Sequence, residues 1–231
     1  MAAKWNAGIA VLAMLTGIAP AMAMAQSDRG VEVGARTGYA FSAGNLGAPP
    51  NGTDQNLGDY VSGQLPLWLD VGYRFNAELY LGGFFQYGFG FVNDDKRVAC
   101  RNANADCSAS DIRLGVMGRY HFGPVWQLSP WAGFGLGYER GRYSFHQSLI
   151  GATNTDFSWS GWEFANFQAG ADFHIAPRFV LAPFVSISLG EYQSTSSTTV
   201  IGSTTTTNDQ DLAKKSLHEW ILIGVRVAFM P

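Results

Sequence analysis

Apolar residues alternate with a period of two along this chain, most clearly near its end. Ile221, Ile223, Val225, Val227 and Phe229 share one face of an extended segment, while Gly224, Arg226 and Ala228 fall on the other. The pattern recurs upstream and predicts eight strands: Val31 to Phe41, Gln64 to Phe75, Leu79 to Phe91, Asp111 to Phe122, Pro130 to Phe145, Trp162 to Ile175, Val180 to Tyr192 and His218 to Phe229. In the second, Leu65, Leu67, Leu69, Val71, Tyr73 and Phe75 face one way, and Gln64, Trp68, Asp70, Gly72 and Arg74 the other. Each is long enough for the roughly 9 to 11 residues with which a tilted strand crosses a bilayer. No segment after the first 25 residues has the length and apolarity of a spanning helix, so the strands predict a closed sheet lying in lipid.

The connections alternate in kind. Asn76 to Glu78, Gly123 to Ser129 and Ala176 to Phe179 are short and carry Asn, Gly and Pro turn chemistry. Ser42 to Gly63, Val92 to Ser110, His146 to Gly161 and Gln193 to Leu217 are long and polar. Strict alternation is the plan of an antiparallel up-and-down transmembrane β-barrel of eight strands, with short periplasmic turns and long extracellular loops.

Alternation alone does not say which face meets water. The less apolar face carries Gly82, Gly88, Gly90, Gly133, Gly135, Gly137 and Gly170 where a soluble barrel needs Lys, Glu and Thr, and such a face suits a narrow lumen. Aromatics gather toward the strand ends. Tyr73, Phe75, Tyr80, Tyr120, Phe122, Trp126, Trp131 and Phe229 lie near the turns, and Tyr39, Phe41, Phe89, Phe91, Trp159, Trp162 and Tyr192 near the loops, which predicts two interfacial girdles.

Composition supports a membrane chain. Charged residues make up 14%, against about 25% in soluble domains, beside 28 glycines and 14% aromatics. The net charge of −3 and the scattered basic residues give no reason to expect a nucleic-acid partner. Lys4, the apolar run Ile9 to Ile18 and Ala23-Met24-Ala25 read as a secretory leader over residues 1 to 25, leaving residues 26 to 231 as one barrel domain. Cys100 and Cys107 stand in the second long loop; an exported chain most simply bridges them, with free thiols or half a metal site as the alternatives, and no His in that loop supports metal. Neither a metal nor any other cofactor is expected.

On these strands and on the terminal segment ending in Phe229, here followed by Met230 and Pro231, residues 26 to 231 resemble the small eight-stranded outer-membrane barrels of the OmpA and OmpX type. The resemblance implies a Gram-negative outer membrane, contact with its lipids and lipopolysaccharide, and Phe229 as the signal read by the outer-membrane assembly machinery. Members of that broad family include anchors, adhesins, small channels and lipid-modifying enzymes, so the fold leaves function open.

Eight strands enclose a space that side chains nearly fill, and parity turns Trp68, Tyr80, Phe84, Met117, Phe184 and Trp220 inward. Charges of both signs join them: Glu32, Asp70, Asp111, Glu139 and Asp172 with Arg36, Arg74, Arg113, Arg119 and Arg226. Buried charges persist when paired, which predicts an internal network stiffening the barrel. The competing reading is a proton or small-ion path through water pockets beside the lumen glycines. His121 and His174 are expected to partner lumen carboxylates. His146 and Ser148, with Glu163 assigned to the outward face, are similar to the His-x-Ser pair and acidic helper of outer-membrane lipid A deacylases. Asn51-Gly52-Thr53 matches a glycosylation acceptor and equally a turn. Ser194 to Thr207, almost wholly Ser and Thr, either extends neighbouring strands into a hairpin or stays mobile. The sequence therefore predicts a non-enzymatic barrel with a structural or surface-interaction role through its loops and an unidentified surface ligand. A narrow channel and a lipid A hydrolase are the alternatives.

Overall fold

A computed structural model describes residues 29–50, 52–125, 128–147 and 153–231. The expected leader, Asn51, Trp126 and Ser148 lie outside these residues. Among them the chain forms β1 (Gly30–Gly44), β2 (Val61–Arg74), β3 (Leu79–Val92), α1 (Asp94–Asn102), β4 (Ala105–His121), β5 (Leu128–Gln147), β6 (Thr153–Ala176), β7 (Phe179–Ile201), β8 (Thr204–Asp211) and β9 (Leu217–Phe229). Consecutive strands from β1 to β7 pair antiparallel, β7 pairs β9, and β9 returns to β1 through Val33↔Phe229 to Gly44↔His218. The ring thus holds eight strands. β8 stands outside it, paired with the upper part of β7 from Ser194↔Asp211 to Ile201↔Thr204.

Alternation sets the two surfaces. Leu67, Leu114, Val116 and Ile223 are 50%, 62%, 63% and 58% exposed, forming the apolar band that a lipid-facing barrel requires, whereas Trp68, Asp70, Arg113 and Arg226 are at most 3% exposed. The core therefore lies inside the ring. Outward aromatics pair at both rims: Tyr73 with Phe75 and Tyr120 with Phe122 at the turn end, Tyr39 with Phe91 and Tyr138 with Trp162 at the loop end. Trp159 leaves the expected girdle to pack on the Tyr60 ring beside the lumen cluster, and Tyr80, Trp131 and Tyr192 depart further. These last three share parity with inward neighbours and are buried in the lumen.

The lumen glycines make room for rings. A Cβ on Gly115 would stand 2.6 Å from Phe84 Cε1, one on Gly72 2.6 Å from Tyr80 Cζ, and one on Gly170 2.5 Å from Trp131 Cζ2. The expectation of water pockets beside these glycines is corrected at those positions, where aromatic faces lie flat on bare backbone.

At the loop end several strands run beyond the predicted bounds. β4 begins six residues earlier than expected, and β6 and β7 carry their ladder out to Thr153↔Ile201. The Ser/Thr segment takes the hairpin reading: its β-branched residues pair across β7 and β8, with Thr198 and Thr207 hydroxyls 3.2 Å apart, and Gly202 turns the chain at φ +60°. Leu46, Leu57 and Leu212 form a small buried group above the barrel, and the Ala48 and Lys214 backbones bond each other reciprocally, tying the first long loop to the last. α1 starts with the Asn93 side chain accepting from the Asp95 amide and is stapled to β4 by the Cys100–Cys107 disulfide.

Candidate functional site

The ten charges read from the sequence are all buried inside the ring, 8% exposed or less. They fall into two clusters. Near the turns, Glu32 is the hub: its Oε2 accepts from Arg74 Nη2 at 2.7 Å, and its Oε1 accepts from both Arg119 and Arg226. Arg36 donates through Nε to Asp70 Oδ1 at 2.7 Å, and Arg226 through Nη1 to Asp172 Oδ1 at 3.3 Å. Asp172 also accepts from Trp131 Nε1 at 2.7 Å and lies 3.2 Å from His121 Nε2. The Arg119 guanidinium sits 3.9 Å over the Tyr80 ring, adding a cation–π contact.

Near the loops the hub is Arg113. It donates through Nε to Asp111 Oδ2 at 2.8 Å and through Nη1 to Glu163 Oε2 at 3.0 Å and Ser188 Oγ at 2.9 Å. Glu139 accepts from the Tyr192 hydroxyl at 2.6 Å and Trp220 Nε1 at 3.1 Å, and lies 3.0 Å from His218 Nε2. Tyr192 stacks on His218 with centroids 3.9 Å apart.

Between the clusters an apolar group fills one side of the lumen, and a hydrogen-bonded chain from Arg36 through Gln168 and Asn166 to Glu163 joins the two clusters along the other. Trp68, Phe84, Met117 and Phe184 are 2–4% exposed, the first two with ring centroids 5.0 Å apart, and Arg36 reaches the Trp68 ring at 4.7 Å from the turn-side cluster. Arg36 also donates to Gln168 Oε1 at 2.6 Å across this layer.

Glu163 corrects the sequence reading. Parity counted from the turn end puts it on the lipid face, yet it is 1% exposed and bonded to Arg113, because the register shifts between Glu163 and Ala165 and both Ala165 and Asn166 turn inward. One extra residue in a strand inverts every assignment beyond it. The expected grouping of Glu163 with His146 is therefore not formed. His146 Nε2 lies instead 3.4 Å from Asp156 Oδ1, at the exposed loop end, and Ser148 lies outside the described residues. His174 is also corrected: next to the irregularity at His174/Ala176, it is exposed rather than set in the lumen. His218, read only as a strand start, and Trp131 and Tyr192, read as girdle aromatics, join the network. Their parity with Trp220, Glu139 and Phe184 was a usable signal.

At the extracellular mouth a small pocket of about 20 Å³ is lined by Tyr60, Trp159, Tyr192 and Trp220 together with Gln64 and Asp111. Among the described residues no group of His, Cys, Asp and Glu could hold a metal ion. Phe229 ends β9 opposite Val33 and Phe179, its ring 4.9 Å from that of Phe179.

A ring of eight antiparallel strands, greasy outside and charged within, with short turns at one end and long loops at the other, defines a transmembrane barrel of the outer membrane. The family model of the outer membrane protein beta-barrel domain matches residues 9–214, and the chain belongs to that family. Its fold is similar to that of a major outer membrane protein from Thermus thermophilus, with TM-score 0.58 and 12% identity, covering 87% of this chain and 98% of that one. Neisserial surface protein A aligns with TM-score 0.45 and 14% identity over 87% of this chain and 97% of that chain. The attachment invasion locus protein Ail of Yersinia pestis, in complex with the heparin analogue sucrose octasulfate, aligns with TM-score 0.45 and 17% identity over 87% of this chain and 99% of that chain. Identities this low speak to fold alone. No curated protein matches in sequence.

Proposed function

We propose that this protein is a plugged outer-membrane barrel, non-enzymatic, with a structural and surface-interaction role carried by its extracellular end. The observation that carries the reading is the group of Trp68, Phe84, Met117 and Phe184, which with the hydrogen-bonded chain Arg36–Gln168–Asn166–Glu163 fills the lumen at mid-height between the two charge clusters. A continuous solute path needs a hydrated bore, and an eight-stranded ring has little width to spare once four large side chains occupy it. The exposed end, in contrast, is built out: β6, β7 and β8 form a hydroxyl-rich wall above the membrane, and α1 is stapled beside it. Lipids and lipopolysaccharide are the partners of the outward apolar band, and Phe229 is the residue offered to the assembly machinery.

Conductance across planar bilayers tests this reading. The folded protein should give no large, steady pore. Steady, solute-selective conductance, altered in selectivity by Arg74→Ala, would replace it with the channel reading. The hydrolase reading predicts a change in lipid A mass between cells with and without the protein; the scaffold reading predicts none.

A further inference from the structure

On β5 the outward row passes from apolar to cationic in one step. Phe134, Leu136 and Tyr138 are 43 to 45% exposed on the lipid face, and the next outward residues are Arg140 and Arg142, both exposed. Tyr138 faces Trp162 across the β5–β6 ladder with ring centroids 5.5 Å apart, and the pair is the loop-end girdle of this sector. Girdle aromatics sit at the level of the lipid headgroups. Arg140 follows Tyr138 on the same face, about 7 Å farther along the strand. It therefore stands where the headgroup phosphates of the outer leaflet lie.

The neighbours of Arg140 leave its charge unanswered. Arg142 donates to Asp156 Oδ2 at 2.7 Å, and His146 Nε2 lies 3.4 Å from Oδ1 of the same carboxylate. Glu191, opposite Trp162 on β7, lies 3.9 Å from Lys215 Nζ. These two carboxylates have cations of their own, and among the described residues Arg140 forms no ion pair. Its register partner on β6 is Ser160, whose hydroxyl lies 2.9 Å from that of Ser194 on β7. One O–H of that pair makes the contact, and the other is left to donate outward. A guanidinium fork beside such a hydroxyl pair suits an anion with several acceptor oxygens on one atom. On the other side of Arg140, its β4 partner Ile112 is 41% exposed and continues the apolar band.

We propose that Arg140, with the Ser160–Ser194 hydroxyl pair, binds the phosphate monoester of an outer-leaflet lipid headgroup, whose acyl chains run down over Tyr138, Trp162 and Ile112. Charge complementarity names the group, and continuity with the apolar band names its carrier. A monoester brings about −1.5 to −2 charge at pH 7 and enough terminal oxygens for the fork and a hydroxyl together. A zwitterionic diester headgroup offers fewer oxygens and carries an ammonium that competes with Arg140. The site rests on the reading of the outward band as the lipid contact and makes no use of the filled lumen. Lipid titration and bilayer conductance therefore fail separately.

The test uses the refolded full-length mature chain, ¹⁵N-labelled, in maltoside micelles. Dihexanoyl phosphatidic acid should shift the Ser160 and Trp162 amide resonances saturably. Dihexanoylglycerol and dihexanoyl phosphatidylcholine, with the same chains and no monoester, should not. Inorganic phosphate should need at least about tenfold more to give the same shift, which separates a lipid headgroup from the free anion. Arg140→Gln should weaken the titration about tenfold. Arg140→Lys should weaken it less, because the charge stays and the fork is lost, and Ser160→Ala, read on Trp162, should weaken it severalfold. Arg140 is exposed and holds nothing else in the fold, so its variants should melt as the wild type does. Equal shifts with dihexanoylglycerol, inorganic phosphate binding as tightly as the lipid, or a titration unchanged by Arg140→Gln would overturn the proposal.

Discussion

Glu32 and Arg226 are 194 positions apart and form an ion pair inside the barrel, across the seam where the first and last strands meet. The seam forms only when the whole chain has been threaded, so this pair links ring closure to charge neutralisation. Glu32 also serves Arg74 and Arg119, and removing it takes the nearest carboxylate from three guanidiniums at once, leaving them Asp172 and Asp70 at 3.3 to 3.8 Å. Glu32→Gln should therefore lower stability by about 3 to 5 kcal/mol, the cost of breaking a buried ion pair from one side. Arg74→Ala should cost less, about 1 to 3 kcal/mol, because Glu32 keeps two partners. Urea unfolding in lipid vesicles reads both; equal losses would mean that Glu32 is not the hub.

Gly115 lies under the Phe84 ring, and a methyl group there would also press on the Leu136 carbonyl oxygen. Gly115→Ala should destabilise by about 1 to 3 kcal/mol through overpacking. Gly83→Ala is the control, since the nearest atom to its added Cβ is 3.6 Å away, and it should be nearly neutral. Thermal melts of the two variants side by side would show the difference.

The disulfide holds α1 to β4 with the Tyr143 hydroxyl beside both sulfurs, 3.3 Å from Cys100 Sγ and 3.2 Å from Cys107 Sγ. The cross-link closes a short loop, worth roughly 2 to 3 kcal/mol in chain entropy and confined to the extracellular end. Replacing both cysteines by Ser should loosen α1 and speed tryptic cleavage after Lys96, Arg97 and Arg101 while the barrel keeps its strand content by circular dichroism. Unreduced, denatured wild type should show no reactive thiol.

Asp54 ties the first long loop to the last. Its Oδ2 accepts from Ser216 Oγ at 2.7 Å and Lys214 Nζ at 2.9 Å, and its Oδ1 from the Gly47 amide at 3.0 Å. The Ser216 hydroxyl first, and Lys214 after it, hold this carboxyl below the usual carboxylate range. A lowered folded-state value means that the tie is present above the unfolded carboxyl's pKa of about 3.9 and is lost as pH falls through the folded value. Amide exchange at Gly47 and Ala48, taken relative to the intrinsic rate at each pH, should accordingly quicken in acid. Asp54→Asn should quicken it at neutral pH, and an Asp54→Asn exchange pattern identical to wild type would remove Asp54 from the tie.

The sequence by itself determined the strand list, the face of nearly every strand residue and the ring plan, because a period of two is local and a lipid–lumen boundary enforces it on each strand separately. It also placed Glu32, Arg36, Asp70, Arg74 and their partners inside, since parity needs only neighbours along the chain. Tertiary structure alone decided what those charges meet: Glu32 gathers Arg74, Arg119 and Arg226 from three other strands, and nothing along one strand encodes that choice. It decided Glu163 too, because a bulge arises from pairing with β5 and β7, and parity cannot cross it. The mouth pocket is of the same kind. Its lining residues come from loops and strands far apart in sequence, and they meet only when the barrel closes.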